Sequence, residues 1–213
     1  MGSSVAKPNG MPSGKRKPST REKLLDTAGE LLAEFGIDRV TTNLICERAG
    51  VTPPALYYYF ADKYEVVVAL GKRLMDRQNE ALERWLDRHM GGGIRAYAEN
   101  TLELLRETAE ITEAEPGGIW IERALHSSPR LEHVRIESHR YVTDKLTDVY
   151  VPMLPGYPRE RIWLRMRMLV EFGYVATELL HAESGLEREA ILAETAQMQR
   201  LATLGLLPLA EIR

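Results

Sequence analysis

Tyr57 and Tyr58 stand beside Pro54 and Ala55, and all four share an outward face if Thr52 to Phe60 forms a short helix with Leu56 and Phe60 turned inward. Phenol hydroxyls can bond phosphate oxygens or reach a base, and small apolar groups can lie against a thymine methyl. The hydroxyls of Thr41, Thr42 and Thr52, together with helix-start amides, can fix a register on a phosphate backbone. Arg48 adds a cation nearby, or is a solvated helix residue. No Arg, Asn or Gln stands on this face, so shape and apolar contact are expected to outweigh bidentate base pairing.

Other groupings support less chemistry. His133 and His139 are six apart, on different faces of a helix, and so miss the i, i+4 spacing of helical zinc sites. Glu122 and His126 have that spacing but supply only two ligands, so a surface pair is expected. Cys46 is the one cysteine, which excludes an internal disulfide and a multi-cysteine metal site; it reads as a buried small hydrophobe, with a redox sensor as the other reading. No glycine-rich phosphate loop and no Ser, His and Asp grouping is present, so neither a catalytic site nor a cofactor is expected.

The elements that must position the tyrosines are legible. Thr41 and Thr42 can cap a helix carrying Leu44, Ile45 and Ala49 inward, and Gly50 suits a left-handed turn. Val51 can plug the angle between two helices, Thr52 is expected to cap the second, and Pro53 fits its first position. Tyr59, three residues from Leu56, is assigned to the core. Helix, tight turn and helix at a steep angle make the helix-turn-helix arrangement that lays its second helix in the DNA major groove.

On these residues the sequence resembles the tetracycline-repressor (TetR) family of bacterial transcription regulators. The resemblance covers Thr20 to about Arg73 and rests on Ala28, Leu32, Phe35-Gly36, Thr41, Ile45, Ala49-Gly50-Val51-Thr52, Leu56-Tyr57, Phe60 and Lys63. Leu44 stands where the family usually has a polar residue, and Pro54 where a small residue is usual. The resemblance implies an all-α fold: an amino-terminal three-helix DNA-binding domain and a carboxy-terminal helical domain for ligand binding and dimerisation. It implies a sequence-specific regulator, most often a repressor, released from a palindromic operator on double-stranded DNA by a small-molecule effector. In the family a lysine like Lys63 meets a DNA phosphate; a solvated lysine beside Asp62 is the alternative.

Before the predicted helices, residues 1–18 form a basic arm, expected to be disordered in isolation, with Lys15, Arg16 and Lys17 either touching DNA or merely solvated. A DNA-binding part, 19–73, and an effector-binding and dimerisation part, 74–213, follow. Ser19 to Glu22 fits a capping box for a first helix that carries Leu24, Leu25, Ala28, Leu31, Leu32 and Phe35 to Gly36. Asp62 and Glu65 make a second such pattern, starting a helix that runs from Lys63 to His89 or Met90. Gly91-Gly92-Gly93 is the clearest break in the chain. Further helices are predicted over 94–113, 119–125, 130–150, 158–183 and 187–204, nine in all, and no stretch alternates like a strand.

Residues 158–183 are apolar on more than one face and must be covered on two sides. The family resemblance makes this a dimer interface, for which Ile162, Leu169, Phe172, Ala176, Leu179, Ile191, Met198 and Leu201 are candidates; burial within one subunit is the alternative. Trp85, Tyr97, Trp120, His126, Tyr141, Met166, Phe172 and Tyr174 are candidates for an effector pocket, suited as a set to an apolar or aromatic ligand, although each could be ordinary core.

Charge fits this division. The net charge of −3 is uneven: residues 1–73 carry +3 and 74–213 carry −6. No apolar run approaches the roughly 20 residues of a membrane span, and the start lacks a secretory core, so a cytoplasmic homodimer is expected. Two other classes stay open: a DNA-bending protein without an effector, and an all-α enzyme or carrier.

Overall fold

The computed structural model describes residues 18–182 and 185–207, and all regular elements among them are helical. Residues 1–17 of the basic arm, with Lys15, Arg16 and Lys17, lie outside the described residues. Ten α-helices follow in order: α1 (Thr20–Arg39), α2 (Thr42–Ala49), α3 (Pro53–Tyr57), α4 (Lys63–His89), α5 (Gly93–Glu99), α6 (Thr101–Ala114), α7 (Gly118–Ser127), α8 (Glu132–Tyr150), α9 (Arg159–Ala182) and α10 (Arg188–Leu204). No described helix is long and apolar enough to cross a membrane.

Local sequence accounts for most boundaries. Ser19 N–H donates to Glu22 Oε2 at 2.6 Å and Glu22 N–H donates to Ser19 Oγ at 3.2 Å, closing the expected capping box. α1 leaves helical geometry at Gly36. The second box is displaced by one residue: Asp62 Oδ1 accepts from the Tyr64 and Glu65 amides, whereas Glu65 Oε2 accepts from Ala61 N–H at 2.7 Å. The bond from the Glu65 amide is the main reason the Asp62 carboxyl titrates below its ordinary value.

The single helix expected over 94–113 is two helices. At Asn100 the backbone turns aside (φ −103°, ψ 13°). Its carbonyl accepts from the Trp85 indole N–H at 3.0 Å, and its side-chain amide donates back to Ala96 O at 2.8 Å. These bonds compete with the helical ladder at that step and begin a new helix at Thr101.

Leu24, Leu25, Ala28, Leu31 and Leu32 of α1 are all buried in one core with Ile45, Leu56, Val66, Val67, Leu70 and Leu74. That core continues into Ile121, Leu125 and Val134 of α7 and α8, beyond the division placed at Arg73. α4 is about 40 Å long at 1.5 Å per residue and also enters a second core, where Leu82, Trp85 and Leu86 meet Tyr97, Tyr150, Ile162 and Met166. Each fully buried Leu or Ile contributes about 1.5–3 kcal/mol relative to exposure.

Polar contacts tie the same elements. Glu115, 3 % exposed at the end of α6, accepts from Arg73 Nε at 2.8 Å and Arg77 Nη1 at 2.7 Å, while Arg73 also reaches Asp26 of α1 at 2.8 Å. Removing a partner of a buried carboxylate is more damaging than the pair itself is stabilising. This network therefore acts as a clasp between α1, α4 and the α6–α7 turn.

Candidate functional site

Two surfaces and one cavity hold the candidate residues. The first surface is built by α2 and α3. Gly50 takes the left-handed conformation (φ 62°, ψ 40°), and Val51 N–H donates to Cys46 O at 3.0 Å, closing the turn. Leu56 and Phe60 anchor α3 in the core. Pro54 is exposed, Ala55 is half-buried, and Tyr57 and Tyr58 are 53 % and 81 % exposed, so the outward face is assembled as the spacing predicts. The Tyr57 hydroxyl lies 3.2 Å from Thr42 Oγ, which links the two helices at their exposed edge. Thr41 Oγ accepts from Leu44 N–H at 3.2 Å and caps α2.

Two expectations at this surface need correction. Tyr59 is 40 % exposed and packs edge-on to Tyr58 at 4.8 Å, while Phe60, four residues from Leu56, takes the inward place. Thr52 makes no side-chain cap. Pro53 and Pro54 have no N–H, and the next amide, Ala55, donates to the Thr52 carbonyl at 3.0 Å. Helix-start amides for an anion therefore come from α2, whose first N–H groups have no carbonyl within their own helix.

Neither nearby cation is simply solvated. Lys63 Nζ donates to the Ile37 and Asp38 carbonyls at 2.9 and 3.3 Å, freed where α1 breaks at Gly36. Arg48 pairs with Glu34 at 3.0 Å, an exposed bridge of small energetic value. Cys46 is buried, and that burial pushes its thiol above the ordinary value, in keeping with a small core hydrophobe.

The cavity lies among α4, α6, α7, α8, α9 and α10 and measures about 170 Å³. Its apolar wall includes Leu82, Trp85, Leu104, Leu105, Met166 and Leu169; its polar end includes Gln78, Glu122, His126, Arg135 and His139. Of the pocket candidates, Trp85, His126, Met166 and Tyr174 line it.

Tyr97, Trp120, Tyr141 and Phe172 do not. Tyr97 is packed behind Trp85 and Tyr150, with its hydroxyl donating to Leu86 O at 3.3 Å. Trp120 is a surface ring beneath the Arg123 guanidinium, 5.0 Å from its centroid. Tyr141 is an exposed ring bonded to Glu83, and Phe172 faces outward from α9. Large aromatic rings cover surface as readily as they line cavities when a charged partner or a second protein face awaits them.

Glu122 corrects another expectation: it is 5 % exposed and cannot belong to a surface pair. Its Oε1 accepts from Gln78 Nε2 at 2.9 Å and Thr112 Oγ at 3.1 Å. Burial raises its pKa above the ordinary carboxyl value, outweighing those two bonds. Burial likewise lowers His126, whose ring stacks on Tyr174 at 3.4 Å. His139 is also lowered by burial despite the Glu171 carboxylate 3.0 Å from its Nδ1, so the contact is a hydrogen bond from a neutral ring at neutral pH. The missed polar lining had one sequence signal: Gln78 continues the buried Leu70–Leu74–Leu82 row of α4, a polar residue where helical spacing calls for an apolar one.

The second surface is the outer side of α9 and α10. Leu164, Met168, Phe172 and Val175 form an exposed row on α9, with Met198 and Leu201 exposed on α10. Of the interface candidates, Phe172, Met198 and Leu201 lie there and Leu179 is half-buried. Ile162 is fully buried, Ala176 and Ile191 nearly so, and Leu169 belongs to the cavity wall, so these four are corrected to the interior. On a helix that is apolar all round, rows two residues out of step face opposite ways, and composition does not say which row looks inward.

Comparison with known proteins agrees with this geometry. A family model described as "Bacterial regulatory proteins, tetR family" matches residues 24–70. The tetracycline repressor protein class C of Escherichia coli is 40 % identical over 55 residues, which is 26 % of this chain and 25 % of that protein. The class D repressor of Escherichia coli is 35 % identical over 60 residues, 28 % of each. The matched segment thus spans about a quarter of the length of these curated relatives.

Solved structures extend the likeness across the fold. A transcriptional regulator from Rhodococcus sp. Rha1 has a TM-score of 0.69 at 18 % identity, over 88 % of this chain and 97 % of that one. A TetR-family transcriptional regulator from Streptomyces coelicolor has a TM-score of 0.64 at 21 % identity, over 89 % of this chain and all of that one. At such identities the likeness speaks for the fold.

Proposed function

We propose, from a chain whose residues 24–70 match the tetR family of bacterial regulatory proteins, that it is a dimeric, sequence-specific DNA-binding transcription regulator controlled by a small molecule. The observation that carries this reading is the exposed Tyr57 and Tyr58 face of α3, held outward by Leu56 and Phe60 within the matched segment. Residues 19–73 are the DNA-binding part and 74–213 the effector-binding and dimerisation part, joined by α4 and sharing one core. Pro54 and Ala55 approach base edges, while Tyr57, Tyr58, Thr41 and Thr42 bond phosphates or bases. Lys63 has both a scaffolding role on α1 and an ammonium N–H left to offer a phosphate.

The unpartnered face of α9 and α10 supports a homodimer whose two α3 helices meet successive major grooves, about 34–36 Å apart. The cavity supports an effector site. α4 and α7 contribute to its walls, and both also pack in the core of α1, so a ligand that shifts them changes the spacing of the two heads. Release from a palindromic operator by the effector is the expected outcome, and such a role places the chain in the cytoplasm with DNA.

Selection of bound sequences from random duplex DNA tests the reading, run for the wild type and for the Tyr57→Ala, Tyr58→Ala double variant. A two-fold symmetric site enriched by the wild type alone is expected. A folded dimer that enriches no sequence would overturn it in favour of non-specific DNA binding or another role.

A further inference from the structure

Among the described residues, three buried side-chain atoms have no hydrogen-bond partner: Glu122 Oε2, His126 Nε2 and Arg135 Nε. All three residues line the same cavity. Two of them stand on α7 and the third on α8. Glu122 and His126 are one turn apart on α7, and the Glu122 carbonyl accepts from His126 Nδ1–H at 3.0 Å. Arg135 reaches Glu171 at 3.6 Å, the carboxylate that also holds His139, whose ring centroid is 6.5 Å from that of His126. Buried polar groups cost free energy unless satisfied, so three at one end of one cavity describe what should fill it.

The hydrogen-bond roles follow from the partners already in place. Nδ1 of His126 faces a carbonyl and must carry the proton, so Nε2 presents a lone pair when the ring is neutral. Two donors converge on Glu122 Oε1, so a proton taken up by this buried carboxyl sits on Oε2, and burial favours that neutral form. The raised carboxyl and lowered imidazole titrations agree with both assignments. Arg135 Nε–H is a donor. The polar end thus offers two donors and one acceptor, and a hydroxyl is the small group with the complementary one donor and two lone pairs.

Resting on the effector-site reading above, we propose that the cavity takes a neutral hydroxylated molecule with an apolar body of about one aromatic ring, its hydroxyl donating to His126 Nε2 and accepting from Glu122 Oε2 and Arg135 Nε. The size follows from the volume: about 170 Å³ is close to the ~150 Å³ apolar cavity that holds benzene. Trp85, Leu105 and Met166 supply the matching apolar wall.

The test is calorimetric titration of the full-length protein with phenol, toluene, anisole, benzoate and benzylamine, each also scored for release of the selected DNA. Phenol should bind at least about tenfold more tightly than toluene, its near-isostere, and than anisole, which accepts but cannot donate. His126→Phe keeps a ring against Tyr174 and deletes the acceptor; it should bring phenol to within about twofold of anisole while toluene affinity holds. Equal binding of phenol, toluene and anisole would overturn the hydroxyl assignment and leave the effector cavity standing. Tightest binding of benzoate or benzylamine would overturn it in favour of a charged effector. Binding of none would remove both the hydroxyl and the cavity from the regulatory reading, with DNA selection unaffected. The wild-type panel alone decides among these, so the conclusion does not depend on a variant that folds.

Discussion

A methyl group placed on Gly29 of α1 would sit 2.1 Å from the carbonyl oxygen of Pro116, in the turn before α7. Gly117, with φ 71°, returns the contact: a carbon added there would lie 2.0 Å from the Gly29 carbonyl oxygen. The amino-terminal helix and the turn that leads into α7 thus touch backbone to backbone. Gly29→Ala must push them apart, and overpacking of this kind costs about 1–3 kcal/mol. Urea unfolding should show a lower midpoint with an unchanged slope. Measured on the same variant, the effector's effect on DNA affinity should shrink if this contact carries it to α1.

Tyr58→Ala removes a side chain that makes no buried contact, so stability and dimerisation should hold while operator affinity falls. Loss of one hydrogen bond of about 1 kcal/mol corresponds to roughly fivefold weaker binding. Fluorescence anisotropy on the selected duplex checks this, and an unchanged affinity would take Tyr58 out of the DNA contact.

Leu164→Glu and Leu201→Glu place a charge on the exposed apolar row of α9 and α10. Each should give a folded monomer by light scattering, with helical circular dichroism retained. Ile162→Glu, two residues along from Leu164 but fully buried, should instead prevent folding. A Leu164→Glu protein that stays dimeric would move the interface to another face.

Glu122 should make the protein less stable as pH rises. Its folded pKa lies above its unfolded value because burial penalises the charged form. The folded state therefore holds the proton longer, and its contribution, fully present below the ordinary carboxyl value, is lost as pH climbs toward the raised one. Glu122→Gln abolishes that titration. Urea midpoints at several pH values should show the variant gaining on the wild type from about pH 4 upward, with little difference below. His126 and His139 act oppositely: burial lowers both, so stability falls as pH drops below about 6.5 in the wild type and the variant alike. The difference between the two curves isolates Glu122.

The helix-turn-helix was legible because its signals are local: capping residues, Gly50 at the turn, and Leu56 and Phe60 four apart. What sequence did not reveal depends on neighbours remote in the chain. The break at Asn100 is set by a Trp85 indole fifteen residues away, and a periodic apolar pattern runs through it unaltered. Ile162 and Leu164 are equally apolar, and only the packing of α8 and α10 against α9 decides which is core. At the cavity, aromatic content misled, since Trp120 and Tyr141 are satisfied at the surface by charged partners. Glu122 and Arg135 escaped because a polar residue is ordinarily read as solvated, and nothing local distinguishes one turned inward, whereas Gln78 is marked by its place in the apolar row of α4.

The two prolines that open α3 leave the reading surface with little freedom to adjust. A five-residue helix is far too short to sustain itself in water; it is held by two fixed φ angles and by Leu56 beneath. Its shape exists before any DNA arrives, so docking requires no coupled folding of this segment. The heat-capacity change of operator binding should accordingly scale with the contact area alone, and a groove of the wrong width should be rejected rather than accommodated.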